Sequence, residues 1–316
     1  MNNPWHVVLG GGPLGMGVAD RLIRQGRPVR VATLSSDPDL PGAECVHLDA
    51  SDADRVHRIC ADAAVLYFCA SPPGDAPDEL VLMVQGVTAG LARAGCRLVY
   101  AESLLACGPC DPHFQETGRH HPVGPEGRAR AAAVAHIMES HRMGRLGVDV
   151  VRSSDFFGPK VTRGYLGERV FGPAIRGGSI LLRGDPEARH DFSYVDDFAR
   201  AMVGIGGEAG AFGRIWHTPP VVPSRTNREM IDRIIELAGS GATRHFLPEW
   251  LASLEAGLSR QARRHQESAF LRNQPVVVQA TRLKMRFGFT ATPTDEAIGA
   301  TIEWYGKQWP GRKSSA

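Results

Sequence analysis

Apolar residues recur along the first half of the chain in two alternating rhythms. Short β-like runs appear at HVVLG (6–10), VRVA (29–32), ECVHL (44–48), AVLYFCA (64–70), RLVYAES (97–103) and GVDVVRSSD (147–155). Between them lie stretches with apolar residues at helical spacing: LGMGVADRLIRQ (14–25), DELVLMVQGVTAGLARAG (78–95) and EGRARAAAVAHIMESHRMG (126–144), each closed by a glycine. Strands alternating with helices predict a parallel sheet covered by helices, an α/β fold.

After Gly158 the rhythm changes. Short pieces punctuated by Gly and Pro (158–190) lead into SYVDDFARAMVGIG (193–206), read as a capped helix start. RIWHT (214–218) reads as a strand, and NREMIDRIIELAG (227–239) as an amphipathic helix with Met230, Ile231, Ile234, Ile235 and Ala238 on one face. Helical pieces at 248–270, 281–287 and 294–308 complete the pattern. The expected organisation is a nucleotide-binding domain over 1–156, a smaller mixed domain over 157–309, and a disordered tail at 310–316, with the strand near 214–218 returning to the first sheet.

Composition narrows the partners. Hydrophobic residues at 43% and charged residues at 22% describe an ordinary globular chain. Lys and Arg number 36 against 34 Asp and Glu, so no net field selects nucleic acid or an anionic membrane. The Arg-rich run SRQARRHQ (259–266) reads as the solvated face of a helix. No apolar stretch approaches the roughly 18–20 residues that span a bilayer, and MNNPWHVVLGGG lacks the pattern of a signal peptide. Six scattered cysteines do not form a disulfide framework. A reducing cytoplasm is the expected compartment.

The sharpest local signal is VVLGGGPLGMGVADRL, which places G-x-G-x-x-G at Gly10, Gly12 and Gly15 between a strand and a helix. Such a turn lets the backbone approach a pyrophosphate, with Pro13 and Leu14 opening a helix whose N–H groups face the anion. At the end of the second strand an acid would favour NAD; Thr33 stands there, followed by LSSD. This leans toward NADP, although no Arg follows to hold a 2′-phosphate, and Arg30 could turn either way.

Taken with that turn, the strand ending in YAES and the run HDFSYVDDFARA (190–201), the chain resembles the extended short-chain dehydrogenase/reductase family, the nucleotide-sugar epimerases and dehydratases. The match runs from about His6 to Trp309. The resemblance implies a Rossmann-type doubly wound sheet with a smaller mixed C-terminal substrate domain. It implies Asp49 and Ala50 (LDASD) beside the adenine, Cys69, Ala70 and Ser71 (YFCAS) over the ribose, and Phe156 (SSDFFGP) beside the nicotinamide. Phe157, His190 and Cys107 are placed at the substrate, His190 replacing the family's Arg and Cys107 a family Tyr. RFGFTATPTDEAIGATIEWY (286–305) is similar to its C-terminal helix.

Two departures bear on chemistry. The family's G-x-x-G-x-x-G has its first Gly at Leu9. Its catalytic hydroxyl, Tyr and Lys fall on Ser103, Glu126 and Arg130. Glu126 beside Arg130 is expected to be a carboxylate, a good proton acceptor and a poor donor. Arg130 stays charged and can bond a cofactor ribose. A histidine from the loop, His121 foremost with His120, His113 and Glu116 nearby, could donate the missing proton; Tyr165 and Tyr194 are remoter donors. The bland alternative is an exposed i,i+4 pair at a helix start, worth about 0.3–0.5 kcal/mol.

CGPC (107–110) has thioredoxin-like spacing, but Pro112 argues against the helix such chemistry needs. Zinc ligation by Cys107, Cys110, His113 and His120 lacks standard spacing, and no metal is expected. Three functions remain: an NAD(P)-dependent oxidoreductase or epimerase acting on a small carbonyl- or hydroxyl-bearing metabolite; a redox-neutral isomerase, lyase or cyclase using Glu126 as base; and a non-catalytic dinucleotide sensor. A homodimer would fit the family.

Overall fold

The computed structural model describes residues 4–34, 40–72, 76–110, 113–118, 120–208, 213–247 and 267–308. The run 259–266, most of the 248–270 helical piece, residues 35–39 after Leu34, Pro112 and the 310–316 tail lie outside them.

Seven strands, β1 (Trp5–Leu9), β2 (Val29–Thr33), β3 (Ala43–His47), β4 (Ala63–Phe68), β5 (Arg97–Ser103), β6 (Val148–Ser153) and β7 (Arg214–His217), form one parallel sheet. Their order is β7-β6-β5-β4-β1-β2-β3, which reverses direction between β1 and β4. In such doubly wound sheets ligands bind at that reversal, beyond the carboxyl ends of the strands. The helices are α1 (Pro13–Arg24), α2 (Ala53–Cys60), α3 (Pro77–Ala94), α4 (Gly124–Arg142), α5 (Glu168–Arg176), α6 (Val195–Gly206) and α7 (Asn227–Ala238). Leu14, Val18, Phe198 and Met202 bring α1 and α6 onto one face of the sheet. Val56, Val84, Leu91, Val134 and Ile137 bring α2, α3 and α4 onto the other. The central strands are buried on both faces, which is why they read as continuous apolar runs.

The second half gathers α5, α7, the helix Thr294–Gln308 and a parallel pair of strands, Ser179–Arg183 with Thr243–Leu247, around Phe157, Phe171, Ile180, Met230, Ile234 and Tyr305. α7 begins with a capping box: the Thr226 hydroxyl accepts from the Glu229 N–H and the Glu229 carboxylate accepts from the Thr226 N–H. α6 departs from expectation at its start. Tyr194 occupies the N-cap without a side-chain bond, and Asp196 and Asp197 in the first turn face the helix dipole instead. The strand at 214–217 does pair with the first sheet, and α6 packs there too, so α6 and β7 belong by contact to the nucleotide-binding half.

Candidate functional site

Gly10 carries φ +117°, and a Cβ there would lie 2.8 Å from the Ala70 nitrogen. A Cβ on Gly15 would lie 2.0 Å from the Gly10 carbonyl oxygen. These two glycines therefore let β1, α1 and the end of β4 close on one another. Gly12 differs: a Cβ there would meet nothing within 4 Å. It is the N-cap of α1 with no side-chain cap, Pro13 opens the helix, and no acid stands in the first turn. An open backbone at an uncapped helix N-terminus fits a pyrophosphate.

The other expected cofactor residues surround that turn. Leu14 is buried in α1; Thr33 ends β2, and its carbonyl accepts from the Leu48 N–H. Asp49 is exposed beyond β3; its carboxylate accepts from the hydroxyl and backbone N–H of Ser51, which hold its pKa below the usual range, with Ala50 buried beside it. Cys69, Ala70 and Ser71 follow β4, and Phe156 sits edge-on to Phe198 at 6.0 Å. Arg30 is not available to a 2′-phosphate. It bonds Glu44 and Asp62 and lies 4.1 Å over the Trp5 ring, at the far end of the strands.

Ser103 ends β5, and its Oγ accepts from the Leu105 N–H at 3.3 Å, capping the 3-10 turn Leu104–Ala106. That bond leaves the hydroxyl proton free to be donated. Gly124, with φ +68°, and Pro125 start α4, placing Glu126 in its first turn, half-buried. Arg130 Nε donates to Glu126 Oε1 at 3.1 Å, and Nη1 donates to Glu102 Oε1 at 3.0 Å. The same Glu102 oxygen accepts from the Ser103 N–H at 2.7 Å. Burial opposes the Arg130 charge, but the Glu102 and Glu126 carboxylates outweigh it, and the guanidinium's pKa is raised. The Ser103 backbone N–H and the Arg130–Glu126 pair are thus joined by an acid the motif reading passed over. Glu102 stands where the family's Val-Tyr-x-Ser-Ser run has its first Ser; an acid at the end of an apolar strand was the signal.

Arg152 was also passed over, although an Arg inside the apolar run VDVVRSSD was visible. It is fully buried and in register with Glu102 on one side and His217 on the other. Its Nη1 lies 3.2 Å from His120 Nε2. Burial, and then Arg152, lower the His120 pKa to about 4, so this imidazole is neutral at pH 7 and no proton donor. His121 is exposed, its N–H bonded to the Cys107 carbonyl at 2.7 Å. Glu116 is buried and accepts from the N–H groups of His217 and Arg282, and His113 pairs by backbone with Val277, so neither faces the Ser103 cluster through a bond.

Three residues expected at the substrate are closed off from solvent: Cys107, Phe157 and His190 are each exposed by 2% or less. Burial pushes the Cys107 thiol up to about 11; Cys107 follows the 3-10 turn and begins no helix, so nothing stabilises a thiolate for the CGPC reading. His190 stacks on Phe192 at 4.0 Å with Tyr165 beyond, and its Nε2 is 3.6 Å from Asp155 Oδ2. Tyr194 is buried against Phe157. Among the described residues no group of three or more His, Cys, Asp or Glu is placed to hold a metal ion, and no helix is long and apolar enough to cross a membrane.

Comparison with known proteins follows the same outline. The model of the NAD dependent epimerase/dehydratase family matches residues 6–213. No curated protein matches the chain. Among solved structures, UDP-glucose 4-epimerase of Thermotoga maritima with UDP-glucose is similar at TM-score 0.79 and 18% identity, over 96% of this chain and 99% of that one. dTDP-glucose 4,6-dehydratase of Bacillus anthracis in complex with NAD gives 0.79 and 16%, over 97% and 98%. UDP-glucuronic acid 4-epimerase of Bacillus cereus in complex with NAD gives 0.77 and 14%, over 98% and 99%. At these identities the likeness is one of fold.

Proposed function

The chain belongs to the NAD dependent epimerase/dehydratase family, and we propose that within it the protein is an NAD(P)-dependent oxidoreductase or epimerase that uses the Glu126 carboxylate as its base on a small hydroxyl- or carbonyl-bearing metabolite. The observation that carries this reading is the run of contacts from the Ser103 N–H through Glu102 and Arg130 to Glu126, at the carboxyl edge of the sheet that holds the glycine turn. A donor hydroxyl and an acceptor carboxylate suit an alcohol: Ser103 donates to the substrate oxygen while Glu126 takes that oxygen's proton. Half-buried Glu126 can then release the proton to water. When bound, the nicotinamide supplies the hydride acceptor. Gly10, Gly12, Pro13, Leu14 and Gly15 would hold the pyrophosphate, Asp49 and Ala50 the adenine side, and Cys69, Ala70, Ser71 and Phe156 the nicotinamide side. Thr33, uncharged at the end of β2, supports a dinucleotide with or without a 2′-phosphate.

A second reading, redox-neutral proton abstraction, draws support from the scarcity of general acids bonded into the Ser103 cluster among the described residues: His120 is neutral and Glu126 is tied to Arg130. The test takes small hydroxy and keto metabolites with NAD+ or NADP+ and follows nicotinamide absorbance beside product formation. Glu126→Gln should lower kcat by roughly 100-fold or more while dinucleotide affinity changes little. Near-normal turnover in that variant would remove Glu126 from proton transfer, and product without net or transient absorbance change would favour the second reading.

A further inference from the structure

We propose that Glu102 is a positioning residue that dictates an arginine at position 130 and aims its free edge at the cofactor. This rests on the reading above that a dinucleotide lies on the glycine turn. The Glu102 side chain has no solvent exposure. A buried carboxylate without a partner costs several kcal/mol, so a cation is required within reach. Arg130 meets that demand with Nη1 and reaches Glu126 with Nε. Those two acids lie in divergent directions from one flat, rigid fork. A lysine offers a single point charge on a flexible stem and cannot hold both at fixed angles. The acid at 102 therefore accounts for the arginine at 130.

The clamp leaves one edge over. Arg130 Nη2 makes no hydrogen bond among the described residues, and the side chain is 17% exposed. Two strand steps of about 4.8 Å separate the β1 turn from β5. A dinucleotide held at that turn would extend along the carboxyl edge of the sheet toward β5, where the free edge of Arg130 would be available to its ribose hydroxyls. Charges alternate along the row Glu126, Arg130, Glu102, Arg152, the last two in register across β5 and β6. The row is neutral overall, so losing Glu102 leaves two buried guanidinium groups facing one half-buried acid.

The experiment titrates NAD+ and NADP+ against wild type, Glu102→Gln, Glu102→Ser, Arg130→Lys and the double variant Glu102→Ser/Arg130→Lys, with Tm recorded for each. Glu102→Gln keeps the shape of the side chain and guards against misfolding of the Ser variant. Each single variant should weaken binding of the preferred dinucleotide by roughly tenfold, about 1.4 kcal/mol. The double variant should return to within about threefold of wild type, because a lysine released from Glu102 regains the ribose. A purely structural Glu102 would lower Tm while leaving affinity unchanged, and that result overturns the proposal. So does a double variant that binds no better than Arg130→Lys alone. Failure of the wild-type chain to bind either dinucleotide would overturn the reading beneath it as well.

Discussion

Asp149 is the second residue of β6, with no exposure to water, and side chains from two other strands donate to it. Trp216 Nε1 on β7 donates to Oδ1 at 3.0 Å, and Arg97 Nη2 on β5 donates to Oδ2 at 3.3 Å. Arg97 also donates to the Ile205 carbonyl at 2.8 Å, tying the end of α6 to the sheet. Burial pushes the Asp149 carboxyl up to about 6 despite both donors. Trp216→Phe removes the indole N–H and part of the ring volume, leaving a buried acceptor under-bonded beside a small cavity; we expect a loss of about 2–4 kcal/mol in urea unfolding. Asp149→Ala, which takes the counter-charge from Arg97 while its carbonyl partners stay, should cost about 3–5 kcal/mol. At this scale the sequence was legible where a motif supplied a frame: that frame singled out Ser103, Glu126 and Arg130, and Glu102 bonds both the Ser103 N–H and the Arg130 that holds Glu126. Glu102 and Arg152 escaped notice because a charge inside a strand shows its meaning only once the partner strand and helix are known. Asp149 escaped for the same reason.

Helix α3 shows how an element can be specified by what it lacks. A Cβ on Gly86 would lie 2.5 Å from the carbonyl oxygens of Ala50 and Ser51, and one on Gly90 would lie 2.7 Å from the Ala53 oxygen. The helix seats directly against the backbone that opens α2. Gly86→Ala, ordinarily favourable inside a helix, should instead destabilise by about 1–3 kcal/mol through overpacking. Circular dichroism melts of Gly86→Ala beside a Gly299→Ala control, where a Cβ meets nothing, would check it. Periodicity revealed all seven strands of the sheet and its long helices, because the inner strands are continuously apolar and the edge strands β3 and β7 fall into the same alternation with helices. It did not reveal α2, with only Val56 and Cys60 buried among eight residues, nor the strand Ser179–Arg183, which has just Ile180 and Leu182 inside. Two buried residues apiece, outside the regular strand–helix alternation in the case of the strand, set no period to read.

At the scale of the whole molecule, burial lowers the pKa of four histidines among the described residues. His217 is lowered to about 3, His6 and His120 to about 4, and His190 is lowered as well, with burial the largest cause in each. A histidine whose folded pKa lies below its unfolded value binds fewer protons when folded. Stability is therefore complete above about pH 6.5 and is lost as pH falls. Asp149, raised to about 6, acts in the opposite direction between roughly pH 4 and 6, and Glu116, also raised by burial, acts in the same sense as Asp149, so both offset part of the loss. Unfolding free energy should fall from pH 7 to pH 5, with wholly buried His217 alone contributing up to about 2 kcal/mol; a His217→Gln variant should flatten the slope by close to one proton. The sheet has a further consequence in time. β7 and α6 are supplied from residues 195–217, after the chain has already passed through the first elements of the other half. During synthesis, then, the wholly buried β6 emerges as a bare edge and the apolar stripe of α1 waits uncovered. Ribosome-bound chains stopped before residue 195 should accordingly be far more susceptible to proteases than chains released past 217, even though every strand of the glycine turn is present in both.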